Sequence, residues 1–243
     1  MSKKSKIKKK QMLRNNEYYN IQETFDKLYE QSKKGKRFTK LLEIITSYEN
    51  IMLAYRNIKK NKGSKTAGTN GNKIFDMGQN APDKLVNYVR YRLANFKPHT
   101  VKRVEIDKED GRKRPLGIPT IEDRLIQQCI KQVLEPICEA KFYEHSYGFR
   151  PNRATSHAIA RTMFLTNIGK FYYVVDFDIK SFFDNVNHAK LIKQIWSLGI
   201  QDKNLICIIG KMLKAEIKGI GVTTKGVPQG RNFKPFTCKY CSK

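Results

Sequence analysis

VVDFDIKSFFDNVNH, residues 174–188, is the stretch on which the fold turns. With the residues before it, it gives FYYVVDFD at 171–178, a β-branched and aromatic run that ends on carboxylates. Such a run reads as a strand. Alternate residues of a strand share a face, so Asp176 and Asp178 point the same way, and Asp184 follows closely. Carboxylates are rarely buried unless paired or bound to metal, and hard oxygen donors suit Mg²⁺. Beside a very basic surface, that grouping points to phosphoryl transfer on nucleic acid. Ion pairing with nearby cations such as Lys180 is the competing reading, and the spacing alone leaves the two evenly matched.

Working upstream, VKRVEI at 101–106 and RPLGIP at 114–119 read as two strands joined through DKEDGRK, whose Asp110-Gly111 pair is a hairpin signal. Lys102, Arg103, Lys108, Arg112, Lys113 and Arg114 crowd that hairpin. Thr120 to Asp123 then fits a capping box opening a long helix, which Pro136 is expected to kink or divide. Helical spacing predicts further helices over 17–33, 41–60 and 82–96, the last with Pro82 in its first turn. NKGSKTAGTNG at 61–71 reads as a loop. SYGFRPNR at 146–153 is another loop, followed by a helix from about Ala154 to Leu165. Downstream of the central stretch, helices are expected near 188–198 and 202–214, then a short hairpin at 217–224 leading into KGVPQG. Helices and strands mix without a βαβ rhythm, so the class is α+β.

The chain carries 48 Lys+Arg against 22 Asp+Glu in 243 residues, a net charge of +26. A chain this basic repels itself unless a polyanion is near, and nucleic acid is the favoured partner over a merely solvated lysine face. Hydrophobic residues at 40% exclude a wholly disordered chain. No apolar run is long enough to cross a bilayer, and no apolar stretch follows the basic MSKKSKIKKK, which therefore does not read as a secretory signal. The odd number of cysteines, five, without framework spacing, fits free thiols in a reducing cytoplasm.

Five stretches together carry a family resemblance. VVDFDIKSFFDNVNH resembles the first palm motif of reverse transcriptases encoded by group II introns. KRVEIDKEDGRKRPLGIPTIEDRLIQQ resembles their fingers hairpin and the helix after it, and CIKQVLEPICEAKFYEHSYGFRPNR the next block. KGVPQG resembles the loop at the template–nucleotide pair, and AYRNIKKNKGSKTAGTNG the N-terminal extension. The likeness spans roughly residues 50–230 in family order.

The resemblance implies a reverse-transcriptase fingers–palm fold, with helical fingers, a small antiparallel palm sheet and an incomplete palm. Its segments would be a basic flexible arm (1–15), an N-terminal helical extension and start of the fingers (16–100), fingers (101–170), a partial palm (171–230) and an aberrant tail (231–243). It makes Asp178 the first catalytic aspartate, holding two Mg²⁺ ions with the Ile179 carbonyl. Phe183 becomes the aromatic gate against a 2′-hydroxyl. Lys102, Lys108 and Arg114 become the clamp on triphosphate and template, and Gln229, with Pro228 and Gly230, the support of the nucleotide. The implied partners are intron RNA, primer–template and dNTP, with no membrane. Asp176 is read as structural, Asp184 as a metal ligand or a turn cap, and Phe182 as core. Arg150 either holds a phosphate or pins its own loop. His188 is read as lying at a helix start.

The sequence departs from the family after Gly230. Where a second Gly, an apolar helix and a YADD turn are expected, it reads RNFKPFTCKYCSK. Codons can be chosen for Asn232–Lys243 that, read from their second nucleotide, translate as ILSPLLANIVL, the family continuation. One inserted nucleotide beside the Gly230 codon would account for the tail, and would make the Cys238–Cys241 pair an accident of frame, not half a zinc site. Lacking the other two catalytic aspartates, the chain is expected to be inactive alone. The rival readings are a non-catalytic intron-RNA-binding module and a decayed remnant, with a hydrolase built on Asp176 and Asp184 the remotest.

Overall fold

The computed structural model describes residues 11–77, 81–107, 111 and 113–227. Its centre is a pair of crossing helices, α4 (Tyr48–Lys60) and α6 (Ile121–Glu139). Both are amphipathic at helical spacing, and they bury Ile51, Ala54 and Ile58 against Leu125, Cys129 and Val133. Around them pack α1 (Gln11–Tyr18), α2 (Gln22–Lys33), α3 (Leu41–Ile45) and α5 (Pro82–Ala94). Helix α7 (Thr155–Asn167) buries none of its residues. The last pair, α8 (His188–Ser197) and α9 (Lys203–Leu213), joins the same core through Leu191, Ile195, Leu205 and Ile209.

Asp202 ties the two ends of the chain together. It caps α9 by accepting from the Leu205 N–H at 3.1 Å, and it accepts from the Leu42 N–H of α3, also at 3.1 Å. Phe38 and Ile200 form a parallel bridge beside it. The expected helix over 17–33 is broken at Asn20, whose φ of 53° is a left-handed conformation that Asn tolerates. The helix expected over 41–60 is broken by Ser47, which caps α4 by accepting from the Asn50 N–H.

Of the two outcomes expected at Pro136, division does not occur, because helix α6 runs on through it. Proline removes one intrahelical bond, but Ile137 and Cys138 beyond it are buried, and the Ser32 hydroxyl of α2 donates to the Ile137 carbonyl at 2.7 Å. Packing holds the last turn that propensity alone would break. The helix start follows the sequence in half. Thr120 Oγ1 accepts from the Asp123 N–H, while the Asp123 carboxylate turns away to another task.

The only sheet among the described residues is the predicted hairpin, β1 (Lys102–Asp107) against β2 (Lys113–Ile118), with Lys102 opposite Ile118. Gly111 in its turn has φ 75°. The expected strand at 171–178 does not form. No described residue pairs with it as a strand, and its side chains lie open, with Tyr173 94% exposed. A β-branched run becomes a strand only when a neighbour satisfies its backbone groups. The hairpin expected at 217–224 shrinks to a single bridge between Ile217 and Gly221. Residues 1–10 of the arm expected over 1–15, Lys108, Asp110, Arg112, Pro228, Gln229, Gly230 and the tail 231–243 lie outside the described residues, while 11–15 correct that expectation by forming the start of α1, with Asn15 buried.

The 61–71 loop is fastened to the start of α6. Glu122 accepts from the Asn70 and Asn72 amides at 2.9 and 2.6 Å, and Arg124 donates to the carbonyls of Gly63 and Thr66. Burial pushes the Glu122 carboxyl up, but hydrogen bonds from Asn72, its own backbone and Asn70 bring it below its ordinary value. This fastening is therefore complete above that ordinary value and loosens as the pH falls through the lowered one. Gly68 lies against Thr120, where a Cβ would stand 2.6 Å from the Thr120 Cα.

Candidate nucleotide and nucleic-acid site

The hairpin is held at its root. Asp123 is 4% exposed. Its Oδ2 accepts from the His99 N–H at 2.7 Å, and its Oδ1 accepts from Arg92 at 2.7 Å. Two residues past that anchor, Val101 bonds to both Glu216 and Lys218, which joins the hairpin to the segment after α9. The strands project from this fixed base into solvent.

Strand alternation then sorts the cations. Lys102 shares a face with Val104 and Ile106, and Arg103 shares the opposite face with Glu105. Glu105 lies 3.7 Å from Arg103 and 3.5 Å from Lys113, an exposed bridge worth little stability, which partly neutralises that face. Lys102 is exposed on the other. Arg114 stands opposite Ile106 in the register.

Below the hairpin lies the aromatic turn. Ser181, with φ 51°, reverses the chain into a short 3₁₀ turn, Phe182–Asp184, and Asn187 caps α8 by accepting from the Lys190 N–H. The segment Lys225–Val227 is laced onto this turn. Gly226 N–H donates to the Val186 carbonyl at 2.8 Å, and Val227 N–H to the Phe183 carbonyl at 2.9 Å. The His188 ring Nε2 lies 2.5 Å from the Gly226 carbonyl, and Lys225 donates to Asn185. Gly226 has φ 86°, and a Cβ there would stand 2.9 Å from the Asp184 carbonyl oxygen. Only glycine fits. His188 thus opens α8 as expected, and its buried ring also holds the incoming segment.

Phe183 is half-buried and meets Phe182 edge-on at 5.3 Å, both packed on the core. The lacing brings the chain to Val227, two residues before Gln229, directly onto Phe183. Between turn and hairpin lies a cavity of about 230 Å³, lined by Arg103, Leu116, Asp184, Thr223 and Lys225 among others. Sequence reasoning missed Arg103, Thr223 and Lys225 here. Arg103 belongs to the basic run already noted, but only the strand register separates it from Lys102.

Asp176, Asp178 and Ile179 lie in the exposed 171–179 segment and do not line this cavity. Among the described residues no three His, Cys, Asp or Glu side chains gather to hold a metal ion. One carboxylate and one carbonyl do not make a two-ion site, so the residues described do not fit a Mg²⁺ pair by themselves. Arg150 pins its own loop: it donates to Glu139 at 2.8 Å and to the carbonyls of Tyr143 and Ser146 at 2.6 and 2.9 Å. Cys129 and Cys138 are buried, and burial pushes the Cys129 thiol far up.

In sequence and in fold the chain is similar to known proteins. Residues 106–242 match the family described as reverse transcriptase (RNA-dependent DNA polymerase). Protein YkfC of Escherichia coli K12 is 34% identical over 82% of this chain and 54% of its own length. Group II intron-encoded protein LtrA of Lactococcus lactis is also 34% identical, over 82% of this chain and 33% of its own. The putative COX1/OXI3 intron 1 protein of Saccharomyces cerevisiae is 33% identical over 82% of this chain and 24% of its own. The chain thus spans about half of the first relative and about a third or less of the other two. In fold it is similar to a chain of the solved partial Cas6-RT-Cas1--Cas2 complex, with a TM-score of 0.51 at 20% identity, covering 82% of this chain and 33% of that one. The family match takes in the β2 strand, α6 and the aromatic turn alike, and the chain therefore belongs to the reverse transcriptases, with similarity to a group II intron-encoded one.

Proposed function

We propose that this chain is the fingers side of a group II intron RNA-directed DNA polymerase and that it binds intron RNA. Joined to the rest of a palm, it copies RNA into DNA by phosphoryl transfer. The observation that carries the reading is the lacing of Lys225–Val227 onto the Phe183 turn beneath a rooted cationic hairpin. That arrangement sets Arg103 and Lys225 around a cavity beside the Phe183 turn, cations suited to holding a phosphorylated sugar. Lys102, Lys108 and Arg114 supply cations for triphosphate and template, Phe183 the sugar-facing ring, and Gln229 a polar contact to the base pair. Primer–template and dNTP are partners of the completed enzyme. The family chemistry uses Mg²⁺, for which Asp178 and the Ile179 carbonyl offer the first donors.

The open state of 171–179 favours a second reading beside it: a stand-alone RNA-binding module that does not polymerise. Both readings require phosphate-driven, shape-dependent RNA recognition. Titration of the purified chain with its intron RNA is expected to give at least tenfold tighter binding than to unrelated RNA of equal length, by the specificity typical of such complexes. The affinity is also expected to fall about a hundredfold or more as salt rises from about 50 to 200 mM. Equal affinity for both RNAs, or no salt dependence, would sink the RNA-binding role.

A further inference from the structure

A large cavity lies away from the hairpin, between α1, α2, α4, α6 and the loop that follows α6. It is an open cleft of about 1680 Å³. Three features distinguish it from a gap in packing.

Its rim carries Phe149, which is 69% exposed and held at φ 53°. A non-glycine residue in that conformation is strained, and persists only where its surroundings impose it. Here Arg150 imposes it, by fixing the Tyr143 and Ser146 carbonyls. An aromatic ring is thus displayed to solvent on a rigid loop. The wall opposite is lined with carboxamides. Asn57 and Gln128 each donate to the Gln132 Oε1, at 3.4 and 3.3 Å, which leaves their own carbonyl oxygens as acceptors. Gln132 is locked in turn by donating to Asn50 at 2.6 Å. Cations complete the lining: Lys60, Lys131, and Arg153 with its guanidinium 5.8 Å over the Tyr147 ring. Of the three acids there, Glu139 is bound to Arg150 and Asp26 accepts from Gln22, while Glu135 lines the cleft beside Lys131.

We infer that this cleft binds a single-stranded segment of RNA, with a base stacked on Phe149, base edges met by Asn57 and Gln128, and phosphates met by Lys60, Lys131 and Arg153. A rigid exposed ring, amide acceptors and flanking cations in one cleft are the combination that recognises unpaired nucleotides. The inference rests on the RNA-binding role proposed above and assigns a place to part of it.

The test uses Phe149→Gly in the full chain. Glycine adopts φ 53° without strain, so the folded state is kept while the ring is lost. The probes are a fluorescein-labelled oligouridylate and a perfectly paired RNA duplex. Affinity for the oligouridylate is expected to fall about tenfold, with duplex affinity unchanged and the thermal midpoint equal or higher. Lys131→Ala is expected to lower the salt slope for the single strand by about one. If the wild-type chain binds RNA but Phe149→Gly leaves the oligouridylate affinity intact, the cleft is not an RNA site and is left to a polypeptide. An equal loss for duplex and single strand overturns the stacking role. If the wild-type chain binds neither probe, this inference and the RNA-binding role fall together.

Discussion

Asp123→Ala is expected to lower the unfolding free energy by about 3–5 kcal/mol. The carboxylate is almost wholly buried and serves Arg92, whose side chain is 14% exposed, and the His99 N–H. Removing it leaves a guanidinium in the interior facing a gap, and a backbone donor without its acceptor. Arg92 keeps its bond to the Lys97 carbonyl and its place over the Phe96 ring, which sets the loss nearer the lower end. A domain of this size has roughly 5–15 kcal/mol to lose, so the variant stands close to unfolding at ordinary temperature. Because Asp123 roots the hairpin through His99, RNA affinity is expected to fall with stability. Asp123→Asn keeps an acceptor for the His99 N–H and is expected to be the milder change. Urea unfolding followed by circular dichroism measures both; a loss under about 1 kcal/mol for the alanine variant would show that the anchor is not where the stability lies.

Gly226→Ala is expected to unlace the aromatic turn. Alanine in the left-handed region costs about 1–2 kcal/mol. The added Cβ would also meet the Asp184 carbonyl oxygen at 2.9 Å, a backbone atom that cannot swing aside, and such overpacking costs about 1–3 kcal/mol. Together these exceed what the two bonds from Gly226 and Val227 return, at about 0.5–1.5 kcal/mol each. The segment should therefore detach locally, exposing the Val227 amide to hydrogen exchange, while α4 and α6 keep their protection. Gly210 in α9 is the comparison, since a Cβ there meets nothing within 4 Å and alanine is the better helix former. Val227 exchange as slow in Gly226→Ala as in the parent would refute the lacing.

What the sequence made legible follows the range of the interactions. The hairpin was readable because two short alternating runs flank Gly111, which takes a positive φ in the turn. The start of α6 was readable from Thr120, since a cap acts within one turn. The continuation of α6 past Pro136 was not, because Ser32 and the buried Ile137 that hold it come from packing with another helix. The 171–178 run shows the opposite failure. Its residues have every local mark of a strand, yet strand formation is a property of pairs, and no described segment pairs with it. At the site, the part played by His188 and Gly226 depends on a contact across some forty residues, which no local pattern records. The break at Asn20 had no signal that helical periodicity could register.

Primer extension tests the central claim most directly, that this chain holds the fingers and the nucleotide-facing turn but not a working catalytic centre. The purified full chain is supplied with an RNA template, a DNA primer, dNTPs and Mg²⁺. Asp178 lies on an exposed segment without a described strand partner, and one carboxylate does not hold two ions in reacting geometry. No extension above background is therefore expected, and Asp178→Asn should be indistinguishable from the parent. Extension by the parent chain that Asp178→Asn abolishes would contradict the account, and would mean that this chain assembles a complete metal site.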